Sequence, residues 1–251
     1  MILKDIFELK KNICLSYSST SLFLSLVQKK KKRNIVYFSN NNQDLNKLKN
    51  EIESIDSEIK VFILTDFDCS FFSNLSPTRE TLSQRINAIY ELTFNNYPRK
   101  IFLININSVV AKLIPLNEIL HKRLTITNKE EGFYEKIIKY LNENMYEKVE
   151  FVRNKGEFSV RGDIIDVFSS NENYPVRISF DFEDIESLYS FDLDSQKSIK
   201  KLDNYTLFIA SEILFNDATI RNFRQIFRKL KINNKEEYYK SISNKIFLPG
   251  S

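Results

Sequence analysis

Gly156-Glu-Phe-Ser-Val-Arg-Gly162 runs directly into Asp163-Ile-Ile-Asp-Val-Phe168, and this stretch decides the fold. Phe158 and Val160 alternate with Ser159 and Arg161, the period of a strand with one apolar face. Gly162 supplies the backbone freedom of a tight turn, and 164–168 returns as the second strand. The Asn171-Glu-Asn173 turn leads to Pro175, which opens a strand at 176–180. Further strands are predicted at 148–153 and 185–191. Spacing this short needs hairpins, so the sheet is expected to be mostly antiparallel. Alternation puts Arg161 on the polar face, and Arg177 is expected beside it on an adjacent strand. Two readings stay open for this pair. One is a pair of solvated arginines bound to Glu157 or Asp163. The other is an anchor offered to a partner's carboxylates, which the planar guanidinium suits. Asp181, Glu183, Asp184 and Glu186 fall on both faces of one hairpin, so they read as solvated and not as a metal or acid–base site.

Upstream, Asn128-x-x-Glu131 has the form of a capping box for a helix reaching Met145. Phe133, Ile137, Leu141 and Met145 are its apolar stripe. Residues 125–207 thus read as an α+β domain. The chain before it alternates strands (34–38, 60–64, 100–104) with helices (about 44–55 and 78–92), the pattern of a parallel sheet covered by helices. A strand at 205–209 and a helix near 216–230 look like a return to that first layer. The second domain is then an insertion, with 1–124 and 208–251 on either side of it.

Counts exclude several function classes. Only four glycines occur, Gly132, Gly156, Gly162 and Gly250, and none precedes residue 132. A phosphate-cradling loop needs glycine where the backbone meets the anion, so the first half holds no working P-loop or dinucleotide fingerprint. One histidine and two distant cysteines, Cys14 and Cys69, argue against a zinc cluster or a Cys/His pair, and such sparse cysteine fits a reducing cytoplasm. No serine of the 18–21 cluster has a histidine in reach. Residues 13–27 are apolar but Ser-rich, too short to span a bilayer, and are followed by the basic run 29–33, so no membrane anchor is read there. The net charge of +4 is too balanced to argue for nucleic acid. Arg221, Arg224, Arg228 and Lys229 share a helix, and a phosphate-binding face there is the competing reading to a solvated one.

The motifs GEFSVRGDIIDVF, then Pro175-Val-Arg-Ile-Ser-Phe180-Asp-Phe-Glu-Asp-Ile-Glu-Ser187, then Phe191-Asp-Leu-Asp-Ser-Gln-Lys-Ser198 resemble the N-terminal UvrB-homology module of the bacterial transcription-repair coupling factors, Mfd. Asp66-Phe-Asp68, Ser76-Pro77, Ser83-Gln-Arg85 and Ile209-Ala-Ser-Glu212 extend the resemblance over most of the chain. It implies a fold class of α/β type: a parallel-sheet, degenerate P-loop (RecA-like) domain with an inserted α+β domain containing a mostly antiparallel sheet. It implies recruitment of UvrA, with Arg161 and Arg177 at the contact. The family's contact phenylalanine aligns with Asp181, flanked by Phe180 and Phe182, and Phe182 stands where the family has glycine or aspartate. No catalytic residue, metal or cofactor is expected in this chain. At 14–23 (CLSYSSTSLF) it lacks the glycine and lysine of the intact loop that UvrB keeps. RNA polymerase and double-stranded DNA are expected partners of other parts of the family's longer chains. The competing readings are a divergent UvrB-type helicase fragment and a nucleic-acid-binding module.

Overall fold

The computed structural model describes residues 15–31, 34–69, 76–94, 96–109, 113–128, 131–212, 217–229 and 236–244. The chain forms mixed α/β structure in two compact units. One unit holds the chain up to Ile63 together with Tyr97–Ile104. It contains α1 (Tyr17–Lys31), β1 (Ile35–Ser39), α2 (Asn42–Ile55), β2 (Lys60–Leu64) and β3 (Lys100–Asn105). The three strands make a parallel sheet in the order β1-β3-β2, as the alternation of strands and helices predicts. Leu45, Leu48 and Ile52 lie on one face of α2 and pack with Leu24, Val61, Ile101 and Leu103. Each fully buried aliphatic side chain there contributes about 1.5–3 kcal/mol. The α2 N-terminus is fixed by Asn41, whose side chain accepts from the Gln43 N–H at 2.9 Å, a typical N-cap bond. Cys14, the first residue of the 14–23 segment, lies outside the described residues, as do Lys32 and Arg33 of the basic run.

The second unit holds Leu64–Asn96 and the chain from Asn105 onward. Its elements are α3 (Arg79–Phe94), a short 3₁₀ turn (Ile106–Val109), α4 (Leu116–Leu120), β4 (Leu124–Thr127) and α5 (Tyr134–Glu143), then β5 (Glu147–Lys148), β6 (Glu157–Arg161), β7 (Ile164–Val167), β8 (Val176–Asp181), β9 (Asp184–Phe191), β10 (Ser198–Lys201) and β11 (Asn204–Leu207). Helices α6 (Asp217–Lys229) and α7 (Glu236–Ser243) follow. Six strands form one sheet in the order β10-β9-β8-β7-β6-β5. Every pairing is antiparallel except β5 with β6, which matches the antiparallel expectation. Phe158, Ile165, Val167, Val176, Ile178, Phe180 and Leu188 face a core closed by Ile137 and Leu141 of α5. Those two helix residues are the centre of the apolar stripe read from the sequence.

Four local expectations are corrected. Asn128 caps no helix: its Nδ2 donates to the Leu202 carbonyl at 2.6 Å, and α5 starts after Phe133 with no side-chain cap. The strand expected at 148–153 is two residues long, because Arg153 N and Asn154 N turn to the Glu157 carboxylate, both at 2.8 Å. The β10 strand was not foreseen, since Ser198–Lys201 is fully exposed and shows no apolar alternation. Finally, β11 pairs antiparallel with β4 as a separate two-stranded ribbon and does not rejoin the parallel sheet. The scattered motifs around α3 have one structural meaning. Arg85 is fully buried; its Nε and Nη2 donate to Glu212, its Nη1 to the Thr65 carbonyl, and its guanidinium lies 4.1 Å from the Phe67 ring centroid.

Candidate functional site

Pleat parity places the two arginines. On β6, Phe158 is buried in the core while Ser159 and Arg161 point to the opposite face. On β8, Val176, Ile178 and Phe180 point to the core and Arg177 points away. The strands are not adjacent, as the sequence reading had them: β7 runs between them. Across β7, Asp166 is paired in register with both Ser159 and Arg177. Its carboxylate is 1% exposed and takes both guanidiniums. Arg177 donates through Nε to Oδ1 and through Nη2 to Oδ2, each at 2.8 Å, the fork geometry that makes arginine–carboxylate pairs strong. Arg161 donates to Oδ2 through Nη2. The expected partners Glu157 and Asp163 are thus corrected to Asp166. Glu157 is buried and serves the 153–154 amides, while Asp163 is exposed at the turn.

Aromatic rings frame the pair. The Arg177 guanidinium lies 4.9 Å from the Phe191 centroid and that of Arg161 lies 5.3 Å from Phe151, distances at which a cation is held by the ring face. Arg177 also donates to the Gln196 carbonyl at 3.0 Å. Hydrogen bonding to Asp166 pushes the Arg177 guanidinium up from an already high value, so it stays charged. Two cations against one carboxylate leave a net positive site. Arg161, with its side chain 38% exposed, is the more open of the two, against 18% for Arg177. Among the described residues its other N–H groups have no hydrogen-bond partner, which leaves them to meet a carboxylate from outside.

The flanking candidates divide. Phe180 is 5% exposed and meets Tyr134 edge-on at 5.0 Å, so it belongs to the core and not to the face that carries the arginines. Asp181 pairs with Asp184 across a two-residue connection, and both are exposed, as are Glu183 and Glu186. Phe182 occupies the tip of that connection, 90% exposed and with φ +55°. A left-handed backbone there explains why glycine or aspartate suits the position. The tip lies five residues beyond Arg177, about 16 Å along the strand. Arg161 is level with Ser179 through Ile164 and is therefore closer to Phe182. Asp166, Phe151 and Phe191 were missed from the sequence. The readable signal was Asp166 itself, a carboxylate inside the apolar run Ile164-Ile-Asp-Val-Phe168.

On the rival basic helix, Arg224 donates to the Ser243 carbonyl and Arg228 to the Tyr239 hydroxyl, so two of its four cations are engaged within the chain. Among the described residues, no helix is long and apolar enough to cross a membrane.

Residues 124–213 match the family model described as the UvrB interaction domain, a span that opens at β4 and closes just beyond β11. The chain is 29% identical over 209 residues to the transcription-repair-coupling factor of Haemophilus influenzae. It is 25% identical over 195 residues to that of Escherichia coli and 26% over 213 residues to that of Rickettsia bellii. The resemblance read from the sequence stands. These alignments cover 82%, 77% and 84% of the chain but only 18%, 17% and 19% of the three coupling factors.

Proposed function

We propose that this chain is the partner-recruiting N-terminal module of a transcription-repair coupling factor and that its inserted domain, 125–207, binds UvrA. The observation that carries the reading is the arginine pair. Arg161 and Arg177 are both held by one buried carboxylate, within the span that matches the UvrB interaction domain. Such preorganised, aromatic-flanked arginines are what an interface anchor requires. In this reading Arg161 is the outer contact, and Asp181 and Phe182 form the neighbouring edge. Phe180 supports them from the core.

The 14–23 segment aligns with a phosphate loop that has lost its glycines and lysine, so the parallel-sheet unit is a degenerate RecA-like domain without ATPase activity. RNA polymerase and double-stranded DNA are partners of the longer coupling factors, acting through parts beyond this chain, in a cytoplasmic setting. Binding of purified UvrA to the 251-residue chain tests the central point. Arg161→Ala and Arg177→Ala are each expected to weaken it by about 1–3 kcal/mol. Unchanged affinity in both variants, with circular dichroism intact, would sink the assignment. Steady turnover of ATP by the purified chain with DNA would favour the helicase reading instead.

A further inference from the structure

Away from the arginine pair, the same unit contains a cleft of about 400 Å³. One wall is α3, through Arg79, Gln84 and Asn87. The other is the 153–155 loop, through Arg153, Asn154 and Lys155, and Phe168 also lines the cleft. The two walls carry three cations. The single carboxylate in the lining, Glu80, accepts from Gln84 at 3.2 Å.

The three cations keep donors that the chain itself does not use. Lys155 is partly buried, and burial pushes its ammonium below the ordinary lysine value. It donates to the Ser170 carbonyl at 3.2 Å and lies 5.5 Å from the Phe168 centroid. Among the described residues no carboxylate lies within ion-pair distance of it, and Glu172 acts on it only through space. An ammonium has three donors, so two remain unused. The Arg153 side chain is exposed and has no hydrogen bond or ion pair among the described residues. Arg79 lines the cleft while its Nη2 binds Glu147, which leaves its other N–H groups for a ligand. The loop is rigid in advance, since the buried Glu157 carboxylate accepts from Arg153 N, Asn154 N and Asn154 Nδ2, each at 2.8 Å. A preformed loop lowers the ordering cost of binding. Donors on two facing walls match an anion with oxygens in several directions, and the volume is that of a small-molecule site.

We propose that this cleft binds a phosphate-bearing small molecule, with Lys155 and Arg153 on one wall and Arg79 on the other taking its oxygens. The test is calorimetric titration of the whole chain with inorganic pyrophosphate at low ionic strength, with inorganic phosphate and a triglutamate peptide as parallel arms. Saturable pyrophosphate binding is expected, and Lys155→Gln with Arg153→Gln should weaken it at least about tenfold. Lys155→Arg should retain most of the binding, and Arg161→Ala should leave it unchanged. A pyrophosphate-induced shift of the Lys155 ammonium resonance would place the ligand independently of any variant. No saturable binding up to about 10 mM overturns the proposal. So does affinity unaltered in the double variant, and equal binding of triglutamate would make the site one for carboxylates.

Discussion

Asp166 holds two arginines from a position only 1% exposed. A carboxylate so placed is stable only because both guanidiniums neutralise and hydrogen-bond it. Asp166→Asn keeps the shape and removes the charge. It is expected to cost about 1–3 kcal/mol in urea unfolding, below the full penalty of a broken buried pair because the arginines keep partial access to water. If Asp166 orients the contact face, the same variant also weakens UvrA binding without touching the partner. Unfolding midpoints equal to wild type would show that the pair is ornamental. At the hairpin tip the direction reverses. Phe182 is 90% exposed at φ +55°, so it adds strain and buries almost nothing. Phe182→Gly removes a left-handed penalty of roughly 1–2 kcal/mol and adds glycine's extra chain entropy of roughly 0.5–1 kcal/mol. A net gain of about 0.5–1 kcal/mol is expected, seen as a raised thermal midpoint. A lowered midpoint would show that the ring packs usefully after all.

At the scale of elements, α3 is tied to the rest of its unit by a buried ion pair and two aromatic contacts. Arg85 joins Glu212 and the Thr65 carbonyl, while Tyr90 and Phe94 meet Phe208 at 5.0 and 5.6 Å. Removing one partner of the ion pair leaves the other charge desolvated. Arg85→Met is therefore expected to destabilise by about 3–5 kcal/mol, and adding Glu212→Gln should return part of it. Additive losses in chemical denaturation would contradict this coupling. The same element shows where the sequence was readable. A helix at about 78–92 is legible in the spacing of Leu82, Ile86 and Ile89, because a 3.6-residue period is a local property, and α3 spans Arg79–Phe94. Its pairing of Arg85 with Glu212, 127 residues away, leaves no periodic trace. Strands β6 to β9 were readable for the same reason: their inner faces are continuous apolar alternations. The exposed β10 and the two-residue β5 offered no such pattern, and the false cap at Asn128 arose because its amide serves a distant carbonyl.

At the scale of the molecule, buried tyrosines set the response to alkali. Burial pushes the phenols of Tyr140, Tyr146 and Tyr205 above the ordinary value of 10.0. In the unfolded chain they ionise near that value, so above it the unfolded state binds fewer protons than the folded one. The stability present below pH 10 is then lost as pH rises from there toward the folded values. Tyrosinate absorbance and circular dichroism followed together should show these phenols ionising only as structure is lost. Ionisation ahead of any loss of structure would show that they are solvent-accessible.

The sequence by itself determined the alternation of strands and helices before residue 124 and the antiparallel hairpins after it. It also determined that no glycine-built phosphate loop lies in the first half. These are local facts: side-chain period and backbone freedom are set by near neighbours along the chain. Only the tertiary structure decided that Asp166 joins Arg161 to Arg177, that β11 pairs with β4, and that Phe180 is core while Phe182 is surface. Those outcomes depend on register and strand order, which bring together residues whose separation along the chain carries no signal. The bulge between Ser179 and Phe180 shows how small such a decision is, since a one-residue slip exchanges the two faces of a strand.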